Sequence, residues 1–88
     1  MLLFHCRLAE MLSLSALMYA LRDSPQDMYF TGLWLAYRVL HFDQVHLTQN
    51  ALSLLFCATS KLPMLHDKNL ESLITALSVQ DKNSSIVA

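Results

Sequence analysis

The chain has 88 residues, of which 55% are hydrophobic and only 15% charged, where an average soluble domain carries about 25% charged residues. A chain this short has material for one core and no second. Six Lys and Arg against seven Asp and Glu give a net charge of −1, so there is neither a basic field to gather nucleic acid nor an acidic tail to repel it.

One glycine, Gly32, and two prolines, Pro25 and Pro63, leave almost none of the punctuation that strands and hairpins need. Leu, Ala and Met, all strong helix formers, fill the segments between them. The expected fold is all-α: a small four-helix bundle with short loops over 1–79, followed by a frayed, flexible C-terminal tail over 80–88.

The first helix is expected from about Leu3 to Arg22. Its polar residues His5, Arg7, Glu10, Ser13 and Ser15 point in several directions at helical spacing, so such a helix wants burial nearly all round. Its apolar set (Leu3, Phe4, Leu8, Met11, Leu12, Leu14, Leu17, Met18, Leu21) exceeds one packing face. Either it is the central helix of the bundle or it meets a partner. The run Met11 to Leu21 has the length of a signal-peptide core, but Arg7 and Glu10 stand directly before it, and it is read as part of the fold. Arg7, Glu10, Arg22, Arg38 and Lys61 interrupt every stretch that could approach the roughly 18 uncharged apolar residues of a membrane span.

Asp23-Ser24-Pro25 reads as a turn into a second helix reaching about Phe42, with Ser24 as N-cap, Pro25 at its first position and Asp27 in its positive first turn. Asp27, Thr31, Trp34, Arg38 and His41 advance by four, three, four and three residues, which predicts a polar stripe holding the only tryptophan. Opposite it, Met28, Leu35, Val39 and Phe42 supply a core face. After a connector from Asp43 to Leu47, Thr48 can cap a third helix from about Gln49 to Lys61, with Ala51, Leu55, Ala58 and Leu62 along one apolar stripe. Pro63 ends it, because the residue before a proline is pushed out of the α region. Asp67 or Asn69 can cap a fourth helix in which Leu70, Leu73, Ile74 and Leu77 stand at i, i+3, i+4 and i+7.

No constellation for catalysis emerges. One glycine cannot build a phosphate-cradling loop. Cys6 and Cys57 are too few for a disulfide framework and wrongly spaced for a metal or redox pair, so they read as free thiols in a reducing compartment. His5, His41, His46 and His66 are scattered. His41 and His46 lie five apart across a helix terminus, a weak ligand spacing, and capping or solvated histidines are the simpler reading. Asp23, Asp27, Asp43 and Asp67 stand where turns and caps want acids, while Glu10, Glu71 and Asp81 read as solvated charges. The expectation is a non-enzyme without cofactor or metal.

Trp34 carries the clearest signal. A large aromatic between Thr31 and Arg38 on a polar stripe has the character of a binding anchor. The alternative is a boundary residue packed beneath Arg38 in a cation–π contact. The expected partner-binding set is Trp34, Arg38, Tyr37 and His41, and a homodimer pairing the first two helices across a two-fold axis would satisfy both Trp34 and the apolar first helix.

Two further segments, Val45-His46-Leu47-Thr48-Gln49 leading into Ala51, Leu52, Leu54 and Leu55, and Leu73 to Val79 leading into Asp81 to Val87, together resemble the helix order of winged-helix transcription regulators over about half the chain. The resemblance implies a recognition helix bearing Lys82, Asn83, Ser84 and Ser85 as DNA contacts. The chain departs from that pattern at Ser78, where glycine is common at the turn, and in having Lys82 as the one basic residue of the segment. The first expectation is therefore a cytoplasmic, self-associating protein-interaction or regulatory module. A DNA-associated regulator with an incomplete helix-turn-helix comes second, and a small membrane-associated protein third.

Overall fold

The computed structural model describes the backbone of residues 7–87 and the side chains of residues 7–81. Among the described residues four α-helices follow the short helical stretch at 7–9: α1 (Leu14–Leu21), α2 (Pro25–Phe42), α3 (Thr48–Lys61) and α4 (Lys68–Val87). Short 3-10 turns at Val45–Leu47 and Pro63–Leu65 lead into α3 and α4, and no strand occurs among the described residues. The all-α bundle expected from the near absence of turn residues is what forms.

The first helix differs from its expected course. Residues 7–9 are helical, the chain then turns through 10–12, and α1 starts afresh at Leu14. Ser13 causes the break: its backbone is extended (φ −67°, ψ 160°) and its hydroxyl accepts the Ala16 N–H at 3.2 Å, an N-cap that competes with continuing the helix. The preceding turn closes with the N–H groups of Met11 and Leu12 both donating to the Leu8 carbonyl. Leu3, Phe4, His5 and Cys6 lie outside the described residues. Splitting the segment puts Ala9 fully inside the core and leaves α1 a single buried edge, Leu17 and Leu21, spaced one turn apart.

α2 and α3 form the most extensive helix pairing, and the only glycine explains how closely they pack. At Gly32 a Cβ would come within 2.9 Å of both Cγ and Cδ2 of Leu55, and within 3.3 Å of Leu54 Cβ. Here glycine is required by the approach of the neighbouring helix, since its backbone does not adopt positive φ. Around this crossing Met28, Leu35, Ala36, Val39, Ala51, Leu54, Leu55 and Ala58 are buried. Each large aliphatic side chain so removed from water contributes about 1.5–3 kcal/mol.

The local boundaries follow the residues. Pro25 opens α2 at its first turn, although Ser24 makes no side-chain cap. At the other end Asp43 takes the left-handed conformation (φ 56°, ψ 32°), one that Asp tolerates better than most residues, and Gln44 N–H donates to the Arg38 carbonyl to close the helix. Thr48 begins α3 instead of capping it: its buried hydroxyl donates to the Val45 carbonyl at 2.7 Å, which ties α3 to the turn before it. α3 ends at Lys61, with Leu62 outside the α region ahead of Pro63. The expected alternatives at the start of α4 resolve to Asp67, whose Oδ1 accepts the Leu70 N–H at 2.8 Å. Leu70 and Leu77 are buried and Leu73 and Ile74 half-buried, the face that their spacing predicts.

α4 continues to Val87, so the backbone of 80–87, expected to fray, is helical. No glycine or proline stands in this stretch to stop it, and Asp81, expected to be a solvated charge, accepts a hydrogen bond from Gln49 Nε2 at 2.9 Å. The same continuity corrects the winged-helix resemblance, which needs a tight turn near Ser78 between two helices. One unbroken helix passes through that position.

Candidate functional site

The expected partner-binding residues lie together on the outer side of α2, but in a different arrangement from the polar stripe. Thr31 is fully buried. It stands about 60° around the helix from Trp34 toward the core, at about 100° per residue, and its hydroxyl has no hydrogen-bond partner among the described residues. Trp34 and Arg38 occupy the boundary, each half-buried, while Tyr37 and His41 are exposed.

What fixes the boundary is Glu10. Its carboxylate accepts two hydrogen bonds from α2, from Trp34 Nε1 at 3.1 Å on one oxygen and from Arg38 Nε at 3.0 Å on the other. The turn at 10–12 is thereby fastened across α2, with both members of the ion pair only about a quarter exposed. Arg38 does not lie on Trp34 as expected. Its guanidinium sits 4.7 Å from the ring centre of Phe42, while its Nε is held on the carboxylate that the indole N–H also meets. Phe42, expected in the core face, is exposed. Sequence reasoning placed Glu10 among the solvated charges. The readable signal was an isolated acid inside an apolar run just before a capping serine, together with a Trp and Arg four residues apart on the next helix.

Beside this junction the outer face of α2 is aromatic. Tyr37 is the hub: its ring centre lies 4.7 Å from that of His41, 5.4 Å from Phe42 and 6.1 Å from Trp34. Phe30 continues the face one helical turn before Trp34. Phe30, Tyr37 and Phe42 remain 46–48% exposed, and Met11 at the edge of the same region is 83% exposed. Arg7, Glu10, Met11, Trp34 and Arg38 surround an open hollow of about 560 Å³. In sequence, Phe30, Leu33, Tyr37 and Leu40 advance by three, four and three residues, the spacing of a helix-pairing seam. Leu33 and Leu40 on that spacing are half-buried and pack against the core, so the outward apolar surface of α2 consists of Phe30 and Tyr37, with Phe42 at the helix end.

Other candidates do not gather. Among the described residues no three His, Cys, Asp or Glu side chains group as metal ligands, and His41 and His46 bring no third one to them. His66 faces Glu71 instead, at 3.3 Å. Lys82, Asn83, Ser84 and Ser85 belong to the backbone of α4, and their side chains lie outside the described residues. Among the described residues no helix is long and apolar enough to cross a membrane. Comparison of the chain with protein families, with curated proteins and with solved structures finds no match.

Proposed function

We propose that the protein is a non-enzymatic helical interaction module of the cytoplasm that self-associates through the outer aromatic face of α2. The observation that carries this reading is the exposed pair Tyr37 and Phe42, 5.4 Å apart at their ring centres, with Phe30 exposed elsewhere on the same helix and Met11 at the edge of the hollow that Trp34 and Arg38 line. Single exposed apolar residues are ordinary, but a cluster of exposed aromatic rings on a helix already engaged on its other side favours a contact surface. Aromatic and Met side chains give large apolar area and adaptable fit, the qualities of interface centres. Around them Glu10, Arg38 and His41 supply a polar rim that sets register. The free thiol of Cys57 suits a reducing compartment.

The module works by occupancy: a partner helix covers the apolar stripe, and no bond is made or broken. Tyr37→Lys tests it, because the side chain is outside the core and the change should leave helix content intact. The expected result is a loss of self-association in light scattering with an unchanged far-UV circular dichroism spectrum. A variant that associates as the wild type does would remove Tyr37, and with it the face, from the interface.

A further inference from the structure

We infer that the partner on this face is a second copy of the chain, with the two α2 helices antiparallel and Trp34 at the two-fold axis. The inference rests on the self-association reading and adds orientation and register to it. Charge placement along α2 carries it. Asp27 lies in the first turn and His41 in the last, and neither forms an ion pair among the described residues. Each is seven residues from Trp34, two helical turns, so the three share one edge of the Phe30, Leu33, Tyr37, Leu40 seam.

A two-fold axis perpendicular to the helix at Trp34 brings Asp27 opposite the second copy's His41, and His41 opposite its Asp27. An imidazole N–H then donates to a carboxylate at both ends of the interface. The same operation sets Phe30 against the second copy's Arg38 and Tyr37 region, and it opposes the two helix dipoles. Parallel pairing would instead stack Asp27 on Asp27 and His41 on His41. Asp43, at the left-handed cap, is exposed and makes no ion pair among the described residues; the other charges near the ends are already engaged. Arg38 is held by Glu10, and Arg22 lies 4.0 Å over the Tyr19 ring, donates to the Tyr19 carbonyl and stands 3.8 Å from Asp23.

A charge-swap series read by sedimentation equilibrium tests the orientation. Asp27→Lys should weaken the dimer about three- to ten-fold in Kd, since two symmetry-related imidazole–carboxylate hydrogen bonds are lost together. His41→Lys should tighten it, and the combination Asp27→Lys with His41→Asp should return Kd to near the wild-type value. Recovery in the double variant identifies the antiparallel pair, because only that arrangement lets the two changes face each other. A wild-type dimer whose Kd ignores the swaps, or whose double variant is weaker than either single one, overturns the antiparallel register and leaves self-association standing. A wild-type chain that is monomeric throughout overturns both. His41→Lys guards against misfolding as an explanation, because it changes an exposed residue and is expected to strengthen binding.

Discussion

Gly32→Ala is the sharpest probe of the packing that displays the α2 surface. On an isolated helix the change is worth about 1 kcal/mol in favour of folding, because alanine is the better helix former. In this protein the added methyl would sit 2.9 Å from Cγ and Cδ2 of Leu55, inside the roughly 3.5–4.0 Å at which carbon atoms attract. Leu55 has no exposed surface into which to retreat, and Leu54 Cβ at 3.3 Å closes the other side. Overpacking of this kind costs about 1–3 kcal/mol, so the net effect should be a loss of about 1 kcal/mol and a fall in Tm of about 4–8 °C. Urea denaturation followed by circular dichroism measures it. The informative step is to repeat the change in a Leu55→Ala background, itself less stable by about 2–5 kcal/mol. There the two 2.9 Å contacts are gone and only Leu54 Cβ at 3.3 Å remains, so the penalty of Gly32→Ala should shrink or reverse sign. Stabilisation in the wild-type background, or an equal penalty in both backgrounds, would refute the close approach of α2 and α3.

Two other substitutions separate the boundary from the core. Glu10→Ala should cost about 1–2 kcal/mol and shift the emission of the only tryptophan to the red. Two charge-assisted hydrogen bonds are lost from groups that water reaches only in part, and Glu10→Gln should recover some of both effects. Unchanged emission and stability would mean that Glu10 does not hold the indole. Thr31→Val should raise stability by about 1 kcal/mol in thermal denaturation, since it removes a buried, unpartnered hydroxyl at similar shape and helix propensity. A loss of stability would show that the hydroxyl is bonded.

The parts of this fold that the sequence reveals are those set by residues close together in the chain. Pro25, Pro63 and Asp67 act within one turn of themselves, and each ends or begins a helix where its chemistry says. The periodic apolar face of α4 is equally local. Ser13 is local too, but in an apolar run a serine reads as a tolerated interior residue, and only the competing cap hydrogen bond decides for a break. Everything that depends on that break is out of reach of pattern reading. Glu10 meets Trp34 and Arg38 across 24 and 28 residues of chain, and no periodicity encodes that meeting. Thr31 went to the wrong side because helical spacing places a residue to within a sector, and the edge of the core falls between Thr31 and Trp34. Of the aromatic face, the sequence singles out Trp34, Tyr37 and His41 only as partner-binding candidates on or beside a polar stripe. Phe30 and Phe42 joined it only when the structure left them uncovered.

The excess of apolar side chains over shelter is the physical root of the functional reading, and the mass of the protein in solution tests it most directly. Sedimentation equilibrium over a wide concentration range should give twice the 10.0 kDa of one chain, falling toward the single-chain value on dilution and doing so at higher concentration for Tyr37→Lys. A mass of one chain at every concentration, identical for wild type and variant, would contradict the claim that the outer face of α2 is covered by another copy.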